Sequence, residues 1–442
     1  MSEKKTVDTV IEAGWVIPVT ADKEVLKNHA LVINDGTIVA ITPNEQVLDQ
    51  FQPANHQQLP NHALIPGFIN THCHAAMSFF RGKADDLPLM TWLNEHIWPA
   101  ESQWVSAEFV HDGTQLAIAE MLRCGTTTFS DMYFFPEVAA KVALDAKIRS
   151  QISFPIMDFP TPWAKDPDEY IHKGLEVFDQ FRHQSMTRIM FGPHAPYTVS
   201  DEPLKRIATL SEQLDAAIQM HIHETPTEVN DGLAKTGKRP LQRLHDLGLL
   251  SPRLQCVHMT QITEADIQLL QQTGAHVVHC PESNLKLASG FSPVDQLLKA
   301  GINVSLGTDG AASNNDLDIL SEMRTAALLA KAVAEDAEAL SAHEALAMAT
   351  INGAKTLGID DITGSLEVNK AADITAINLD ELENLPMYHP VSQIVYTASS
   401  RQVTHVWVNG HLVLNNRELT TLDIDYLKAN ALRWKEKIIT GK

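Results

Sequence analysis

Short runs of alternating apolar and polar residues occur at both ends of the chain, and each end carries a tight-turn signal. The N-terminal runs are residues 7–10, 15–18, 30–33 and 37–41, with Asn34-Asp35-Gly36 between the last two. The C-terminal runs are residues 373–377, 405–408 and 411–414, with Asn409-Gly410 between the last two. Asp-Gly and Asn-Gly pairs between such runs favour hairpin turns. The pattern predicts one small β-domain built from both termini.

The middle of the chain alternates differently, with short β-branched runs followed by helical stretches. The predicted strands are residues 63–70, 126–130, 149–154, 188–192, 217–221, 254–258, 275–279 and 303–307. Helical periodicity separates them, for example over residues 113–123, 204–214, 262–272 and 294–300. Strands that alternate with helices in this way favour a closed (β/α)8 barrel, and an open doubly wound sheet is the alternative. Polar residues at the carboxyl ends of several strands favour the barrel.

We therefore predict an α/β protein: a (β/α)8 TIM barrel with a small β-sandwich domain formed by both termini. The predicted boundaries place residues 1–62 and 365–442 in the small domain and residues 63–364 in the barrel. The length of 442 residues is too great for one ordinary core and agrees with this division.

Composition narrows the class of protein. The formal net charge of −21, from 34 basic and 55 acidic residues, disfavours binding to nucleic acid or to anionic membranes. The four cysteines contain no C-x-x-C pair, and we interpret them as free thiols of a reducing compartment. Residues 1–10 are charged and lack the long apolar core of a signal peptide. We expect a cytoplasmic enzyme that acts on a small molecule, and barrels of this kind often form homo-oligomers.

Four candidate metal ligands follow three of the predicted strands. The first strand ends in His72 and His74, which are two residues apart and so point the same way on an extended chain. His221 ends the fifth strand, and Asp309 follows the eighth. A buried carboxylate needs a partner, and three imidazoles with one carboxylate suit a single divalent ion of zinc type. Each residue alone is common as a core or capping residue, but four at the strand ends of one barrel favour a metal site.

Other residues at the same strand ends suggest hydrolytic chemistry. A zinc ion lowers the pKa of its bound water to about 7 and so supplies hydroxide at neutral pH. Asp309 is a candidate base for that water, and Glu224 is a candidate proton donor to a leaving or ring nitrogen. His258, at the end of the sixth strand, is a candidate to polarise the hydroxide or the developing oxyanion. We expect His223 to pack behind its strand.

Several segments carry a resemblance to a known family. Residues 66–74 (PGFINTHCH), 221–224 (HIHE) and 308–310 (TDG) resemble the amidohydrolase superfamily. Residues 283–290 (SNLKLASG) resemble its deaminase and chlorohydrolase branch. Residues 87–93 (LPLMTWL), 97–101 (IWPAE) and 192–197 (GPHAPY) are similar to the deaminases of 5′-methylthioadenosine and S-adenosylhomocysteine within that branch. The resemblance covers essentially the whole chain.

This resemblance implies hydrolytic deamination of an adenine ring by a metal-bound hydroxide, giving an inosine-type product and ammonia. It implies that Glu101 binds the ribose hydroxyls and that His194, Glu224 and Asp309 contact the nucleoside. Without it, Glu101 would be read as a charge on a solvated helix face. A carbamylated lysine at the end of the fourth strand would bridge two metal ions. His194 stands at that place here, which favours a single metal ion.

The resemblance also bears on the substrate. Some members carry an arginine after the third strand that reaches the amino-acid tail of the substrate, and residues 153–155 (SFP) contain none. This favours methylthioadenosine, adenosine or 5′-deoxyadenosine, with an apolar wall drawn from Met77, Phe80, Trp98, Phe135 and Phe159. Guanine deaminase-like and s-triazine chlorohydrolase-like reactions on the same metal site remain alternatives, as does a non-catalytic member that retains the site for binding.

Overall fold

The computed structural model describes residues 4–441, and its strands form two separate sheets. Residues 1–3, which belong to the segment judged not to be a signal peptide, lie outside the described part. One sheet has eight parallel strands that follow one another in sequence order, and the other has nine strands taken from both ends of the chain. The predicted fold class, a barrel with a small β-domain from both termini, is confirmed.

The eight parallel strands form the barrel. They are β6 (Phe68–Cys73), β7 (Thr126–Met132), β8 (Arg149–Ile156), β9 (Thr187–Pro193), β10 (Ile218–Ile222), β11 (Leu254–His258), β12 (His276–His279) and β13 (Val304–Leu306). The first and last strands meet at a seam. There the Asp309 backbone N–H donates to the carbonyl of His72 at 3.0 Å, and the Thr71 hydroxyl donates to the carbonyl of Leu306 at 2.7 Å. The carboxyl ends of all eight strands therefore surround one opening.

Helices follow the barrel strands and cover the barrel. They are α4 (Ala107–Arg123), α5 (Pro136–Asp145), α6 (Pro167–Phe181), α7 (Asp201–Leu214), α8 (Pro226–Thr236), α9 (Pro240–Asp246), α10 (Glu264–Thr273), α11 (Pro281–Lys286), α12 (Val294–Lys299), α13 (Ile319–Ala334), α14 (Ala342–Met348) and α15 (Ile351–Thr356). Between β6 and α4 lie α2 (Leu89–Thr91), a π-helical turn at Trp92–Ile97 and α3 (Trp98–Trp104). Two more helices, α16 (Pro390–Tyr396) and α17 (Ile424–Thr440), come from the C-terminal part.

The small domain is one mixed sheet of nine strands with a short helix, α1 (Asn44–Gln50). Its strands are β1 (Lys5–Val16), β2 (Leu26–Lys27), β3 (His29–Asn34), β4 (Thr37–Pro43), β5 (Phe51–Pro66), β14 (Ile374–Asn378), β15 (Val403–Val408), β16 (His411–Asn415) and β17 (Glu418–Leu419). β5 pairs with β1 on one side and with β14 on the other, so it joins the N-terminal and C-terminal strands. All nine strands are connected by hydrogen bonds into one continuous sheet.

Both predicted hairpin turns are present, and they contact each other. Asn34 pairs with Thr37 across the first turn, and Val408 pairs with His411 across the second. A Cβ on Gly36 would lie 2.8 Å from the carbonyl oxygen of Asn409. Glycine is therefore required there both by its φ of +74° and by the close approach of the second turn.

The first predicted barrel strand was placed too early. Residues 63–66 complete β5, where Ile65 pairs with Thr375, and β6 begins only at Phe68. The predicted domain boundaries at 62/63 and 364/365 stay a prediction. α17 packs on the barrel helix α4 through a 2.9 Å hydrogen bond from the Trp434 indole to Asp112. Within residues 4–441 we find no helix with the length and apolar character that a membrane crossing requires.

Candidate active site

The four predicted metal ligands converge at the open end of the barrel. One ligand atom from each of His72, His74, His221 and Asp309 lies within 4.8 Å of the others. The Oδ1 atom of Asp309 is 3.4 Å from Nε2 of His72 and 3.2 Å from Nε2 of His74. Nε2 of His72 is also 3.2 Å from Nε2 of His221. Side chains at or just beyond the ends of three strands that are far apart in sequence thus converge on one point.

The outer nitrogen of each imidazole is held by a hydrogen-bond acceptor. Nδ1 of His74 donates to the backbone carbonyl of Met132 at 2.5 Å, and Nδ1 of His221 donates to that of His194 at 2.7 Å. Carbonyl oxygens only accept, so both Nδ1 atoms carry hydrogen, and both Nε2 atoms face the cluster. Such outer acceptors are typical of metal-binding histidines, and the donor set fits one ion of zinc type.

Asp309 is held as an ionised carboxylate. Burial alone would raise the pKa of Asp309, but the neighbouring His72 and His74 outweigh burial and hold it well below its usual range. Its Oδ2 atom accepts hydrogen bonds from the hydroxyls of Ser283 (2.6 Å) and Ser313 (2.9 Å). The role of these serines was not predicted from the sequence, although Ser283 begins the 283–290 motif. Its Oδ1 atom faces the histidines and also accepts from the backbone N–H of Gly310 at 2.8 Å.

Glu224 and His258 lie beside the four-ligand cluster. Burial, reinforced by the negative charge of Asp309, raises the pKa of Glu224 to about 8. Oε2 of Glu224 is 3.8 Å from Nε2 of His258. Burial lowers the pKa of His258, and its Nδ1 donates to Oδ1 of Asn284 at 2.9 Å. At neutral pH the site therefore combines a protonated carboxylic acid with a neutral imidazole whose Nε2 lone pair faces inward.

The turn after β10 fixes the backbone that carries Glu224. Glu228 accepts hydrogen bonds from the backbone N–H groups of His223 and Glu224, each at 2.8 Å. His223 lies behind the strand, as expected, and its Nε2 accepts from the N–H of Leu241 at 3.1 Å. His223, His258 and Asp309 have φ angles of +54°, +77° and +61°, which are rare for residues other than glycine. Left-handed backbone of this kind is costly and is concentrated at functional sites.

A cavity of about 690 Å³ opens above the cluster, a volume within the range of small-molecule sites. His74, His221 and Asp309 form part of its floor with Glu224 and His258. The apolar part of its wall consists mainly of Met77, Leu89, Trp92, Leu93, Ile97, Trp98, Val105, Phe134, Met157 and Phe159. Among the described residues that line the cavity, none is a lysine or an arginine.

The four predicted nucleoside contacts, Glu101, His194, Glu224 and Asp309, all line this cavity. Glu101 is only 8% exposed on α3, so the alternative of a solvated helix charge is wrong. Burial raises its pKa to about 7 although the Tyr133 hydroxyl acts to lower it. Burial and the neighbouring His74 lower the pKa of His194 to about 4, so its ring is neutral. Nδ1 of His194 lies 3.1 Å from the Thr198 hydroxyl.

The predicted apolar wall is partly correct. Met77, Trp98 and Phe159 line the cavity, whereas Phe80 and Phe135 pack elsewhere in the core. Trp92, supplied by the π-helical turn, was missed. A π-helical turn rotates the following side chains relative to an α-helix, and apolar spacing alone does not reveal it.

Comparison with known proteins agrees with this geometry. Residues 63–413 match the model of the amidohydrolase family. A protein of Saccharophagus degradans named 5-methylthioadenosine/S-adenosylhomocysteine deaminase is 56% identical over 99% of this chain and 98% of its own length. A solved adenosine deaminase of Xanthomonas campestris with bound zinc is 49% identical, with a TM-score of 0.98 over 99% of this chain and 100% of that chain.

A more distant solved structure shows the fold alone. The atrazine chlorohydrolase of Arthrobacter aurescens, complexed with zinc, is 24% identical, with a TM-score of 0.90 over 97% of this chain and 100% of that chain. The family model matches most of the chain and the deaminase-named relative nearly all of it, so this chain belongs to the amidohydrolase family.

Proposed function

We propose that this protein hydrolytically deaminates the adenine ring of 5′-methylthioadenosine, S-adenosylhomocysteine and related adenosines, giving an inosine-type product and ammonia. One observation carries the proposal: His72, His74, His221 and Asp309 converge beside a protonated Glu224 on the floor of a nucleoside-sized cavity. The deaminase-named relative of nearly the same length supports it.

The proposed roles follow from protonation states. A zinc-type ion held by His72, His74, His221 and Asp309 acts, when bound, as a Lewis acid that makes water nucleophilic at neutral pH. Asp309 is ionised and is the base that accepts the proton of the attacking water. Glu224 is protonated and donates its proton to a ring nitrogen as oxygen adds to C6. His258 presents its Nε2 lone pair and orients the attacking water by accepting a hydrogen bond.

The remaining steps release ammonia. The proton held by Asp309 passes to the amino nitrogen, and the C6–N bond breaks. A C6–O double bond forms as the hydroxyl proton of the adduct passes to Glu224, which restores its protonated form. The ring nitrogen keeps the proton given by Glu224. Water and the adenine ring are thereby converted to the hypoxanthine ring and ammonia without an oxidant or a further co-substrate.

Glu101 is the proposed ribose-binding residue. Its buried carboxyl lines the same cavity and offers two acceptor oxygens, which suits the two adjacent hydroxyls of ribose. His194, held next to His221 through its own backbone carbonyl, contacts the bound nucleoside from the fourth strand.

The cavity wall favours an uncharged 5′ substituent. Its apolar stretch suits a methylthio group, whereas no described lining residue is a lysine or an arginine that could pair with the carboxylate of a homocysteine tail. The carboxyl groups that line the cavity, those of Glu101, Glu224 and Asp309, do not attract a second carboxylate. We therefore propose that methylthioadenosine is turned over with a higher kcat/KM than S-adenosylhomocysteine.

The test is a substrate panel with the zinc-loaded protein. Ammonia release is measured from methylthioadenosine, S-adenosylhomocysteine, adenosine, 5′-deoxyadenosine, guanine and a chlorotriazine, with chloride release measured for the last. Deamination of the adenosines and none of guanine supports the proposal. Turnover of only guanine or the triazine would replace it with the corresponding reaction, and no turnover of any compound would favour a binding protein.

We propose that the protein acts in the cytoplasm. Its partner is a small nucleoside rather than nucleic acid or a membrane, and it assembles into a homo-oligomer. The four cysteines are buried free thiols, as a reducing compartment allows.

A further inference from the structure

Three buried glutamines connect the metal-ligand cluster to the opposite end of the barrel. Gln151 on β8, Gln219 on β10 and Gln255 on β11 are at most 5% exposed. Gln219 Nε2 donates to Oε1 of Gln255 at 2.7 Å, and Gln255 Nε2 donates to Oε1 of Gln151 at 2.8 Å. Gln219 Oε1 lies 2.8 Å from Nδ1 of His72. We call these side chains the glutamine chain.

Backbone carbonyls fix the direction of every amide in the glutamine chain. Nε2 of Gln219 faces the carbonyl of Thr71 at 2.9 Å, and Nε2 of Gln255 faces that of Thr356 at 3.0 Å. Nε2 of Gln151 donates to the carbonyl of Leu357 at 3.3 Å. A carbonyl only accepts, so reversing any of these amides would set two oxygens against each other. The Oε1 atom of Gln219 therefore faces His72.

We propose that Gln219 is a positioning residue that sets the tautomer of His72 for metal binding. With Oε1 of Gln219 as its neighbour, Nδ1 of His72 must carry the hydrogen, and Nε2 must present its lone pair to the cluster. His74 and His221 obtain the same arrangement from backbone carbonyls. Of the three histidines, only His72 has a side chain as the acceptor for its Nδ1. A mutation can therefore remove the group that sets its tautomer. Gln219 itself is fully buried in the barrel and is not part of the cavity wall.

The inference rests on the metal centre of the proposed function, but its test does not require activity. The zinc affinity of metal-free protein is measured by competition with a chromophoric chelator. We expect Gln219→Leu to weaken zinc binding by about 10–100-fold, as loss of an outer hydrogen-bond partner of a metal-binding histidine does. Gln219→Met removes the same acceptor and fills the space with a flexible side chain. Its zinc affinity is measured instead if Gln219→Leu does not fold.

Gln255→Leu is the matched control. It also removes a buried amide from the glutamine chain, but Gln219 keeps the carbonyl of Thr71 and the Ser130 hydroxyl as acceptors, so its orientation is retained. We expect Gln255→Leu to lose stability in urea as Gln219→Leu does, yet to bind zinc almost as wild type. Gln219→Glu should bind zinc more tightly than Gln219→Leu, because its carboxyl oxygen can accept from Nδ1 of His72.

The outcomes separate this inference from the proposed function. Wild-type zinc affinity in Gln219→Leu and Gln219→Met, or an equal loss in Gln255→Leu, overturns the role of Gln219. A selective loss supports it even if the substrate panel shows no deamination, a result that would contradict only the proposed reaction.

Discussion

Glu224 and Asp309 occupy the same cavity floor in opposite protonation states. Burial and the charge of Asp309 raise the pKa of Glu224 to about 8, whereas His72 and His74 hold the pKa of Asp309 well below its usual range. One group is therefore suited to give a proton and the other to take one. We expect Glu224→Gln and Asp309→Asn each to lower kcat by ~10² or more while the protein stays folded.

Steady-state kinetics with methylthioadenosine and circular dichroism of both variants test this pair. Glu202→Gln, an exposed change on α7, is the control and should keep the wild-type kcat. A near wild-type rate in either active-site variant would show that its assigned proton transfer is wrong.

We expect Glu101 to bind the ribose of the substrate rather than its base. Its carboxyl is buried and lines the cavity from α3. We expect Glu101→Ala to raise KM for adenosine and methylthioadenosine far more than for free adenine, which has no ribose hydroxyls to donate. Glu95→Ala, an exposed change in the adjacent π-helical turn, is the control. Equal effects on nucleoside and free base would contradict the assignment.

Sequence patterns located side chains whose roles depend on position along a strand. His72, His74, His221 and Asp309 each come at or after the end of an apolar run, and strand ends of a barrel share one opening. Gln219 and Asn284 were missed because their roles depend on a neighbour across the barrel. A polar residue inside an apolar strand, as in residues 218–222 (IQMHI), was the available signal for Gln219.

At the scale of elements, the barrel seam depends on Gly307. A Cβ there would lie 2.8 Å from Cβ and 2.9 Å from the backbone nitrogen of His72, closer than real Cβ contacts. Gly307→Ala must push β13 away from β6 and so move Asp309 relative to His72. We expect a loss of about 1–3 kcal/mol in the free energy of unfolding, together with weaker zinc binding.

Urea denaturation and chelator competition measure the two effects of Gly307→Ala. Gly237→Asn is the control, because Gly237 ends α8 in a left-handed conformation that asparagine tolerates, with open space around its Cα. Unchanged zinc affinity in Gly307→Ala would mean that the seam does not position the cluster.

The start of β6 shows why one strand was misplaced while the others were not. Residues 63–66 and 68–73 form one apolar run, but the chain passes from the small sheet to the barrel at Gly67. A Cβ at Gly67 would lie 2.1 Å from the Thr127 side chain, so glycine permits the close approach of β7. Hydrophobicity alone does not show that one apolar run contributes its first residues to the small sheet and its later residues to the barrel.

For the whole molecule, the two termini depend on each other. β5 holds β1 and β14 on its two sides, and the two hairpin turns contact each other at Gly36 and Asn409. Asp-Gly and Asn-Gly turns predicted both hairpins, because these turns are set by local conformation. The number of sheets was not predictable from these patterns, since it depends on which strands pair across more than 300 residues of sequence separation.

This shared sheet makes the stability of the molecule sensitive to acid. Neither ring nitrogen of His62, on β5, has a hydrogen-bond partner among residues 4–441. Burial and the nearby His405 lower the pKa of His62 from 6.5 to about 4. Below pH 6.5, His62 is therefore protonated in the unfolded chain but remains neutral in the folded protein. The free energy of unfolding falls as the pH drops toward 4.

Replacing His62 with leucine should remove this contribution. We expect the urea midpoint of His62→Leu to fall less between pH 7 and about pH 4.5 than that of the wild type, because no proton is then taken up at this position on unfolding. His172→Leu, an exposed change on α6, should keep the wild-type pH dependence. Because His62 lies in the small sheet rather than among the metal ligands, comparison at a fixed zinc concentration isolates its effect. Parallel pH dependences in His62→Leu and wild type would show that the acid sensitivity arises elsewhere in the molecule.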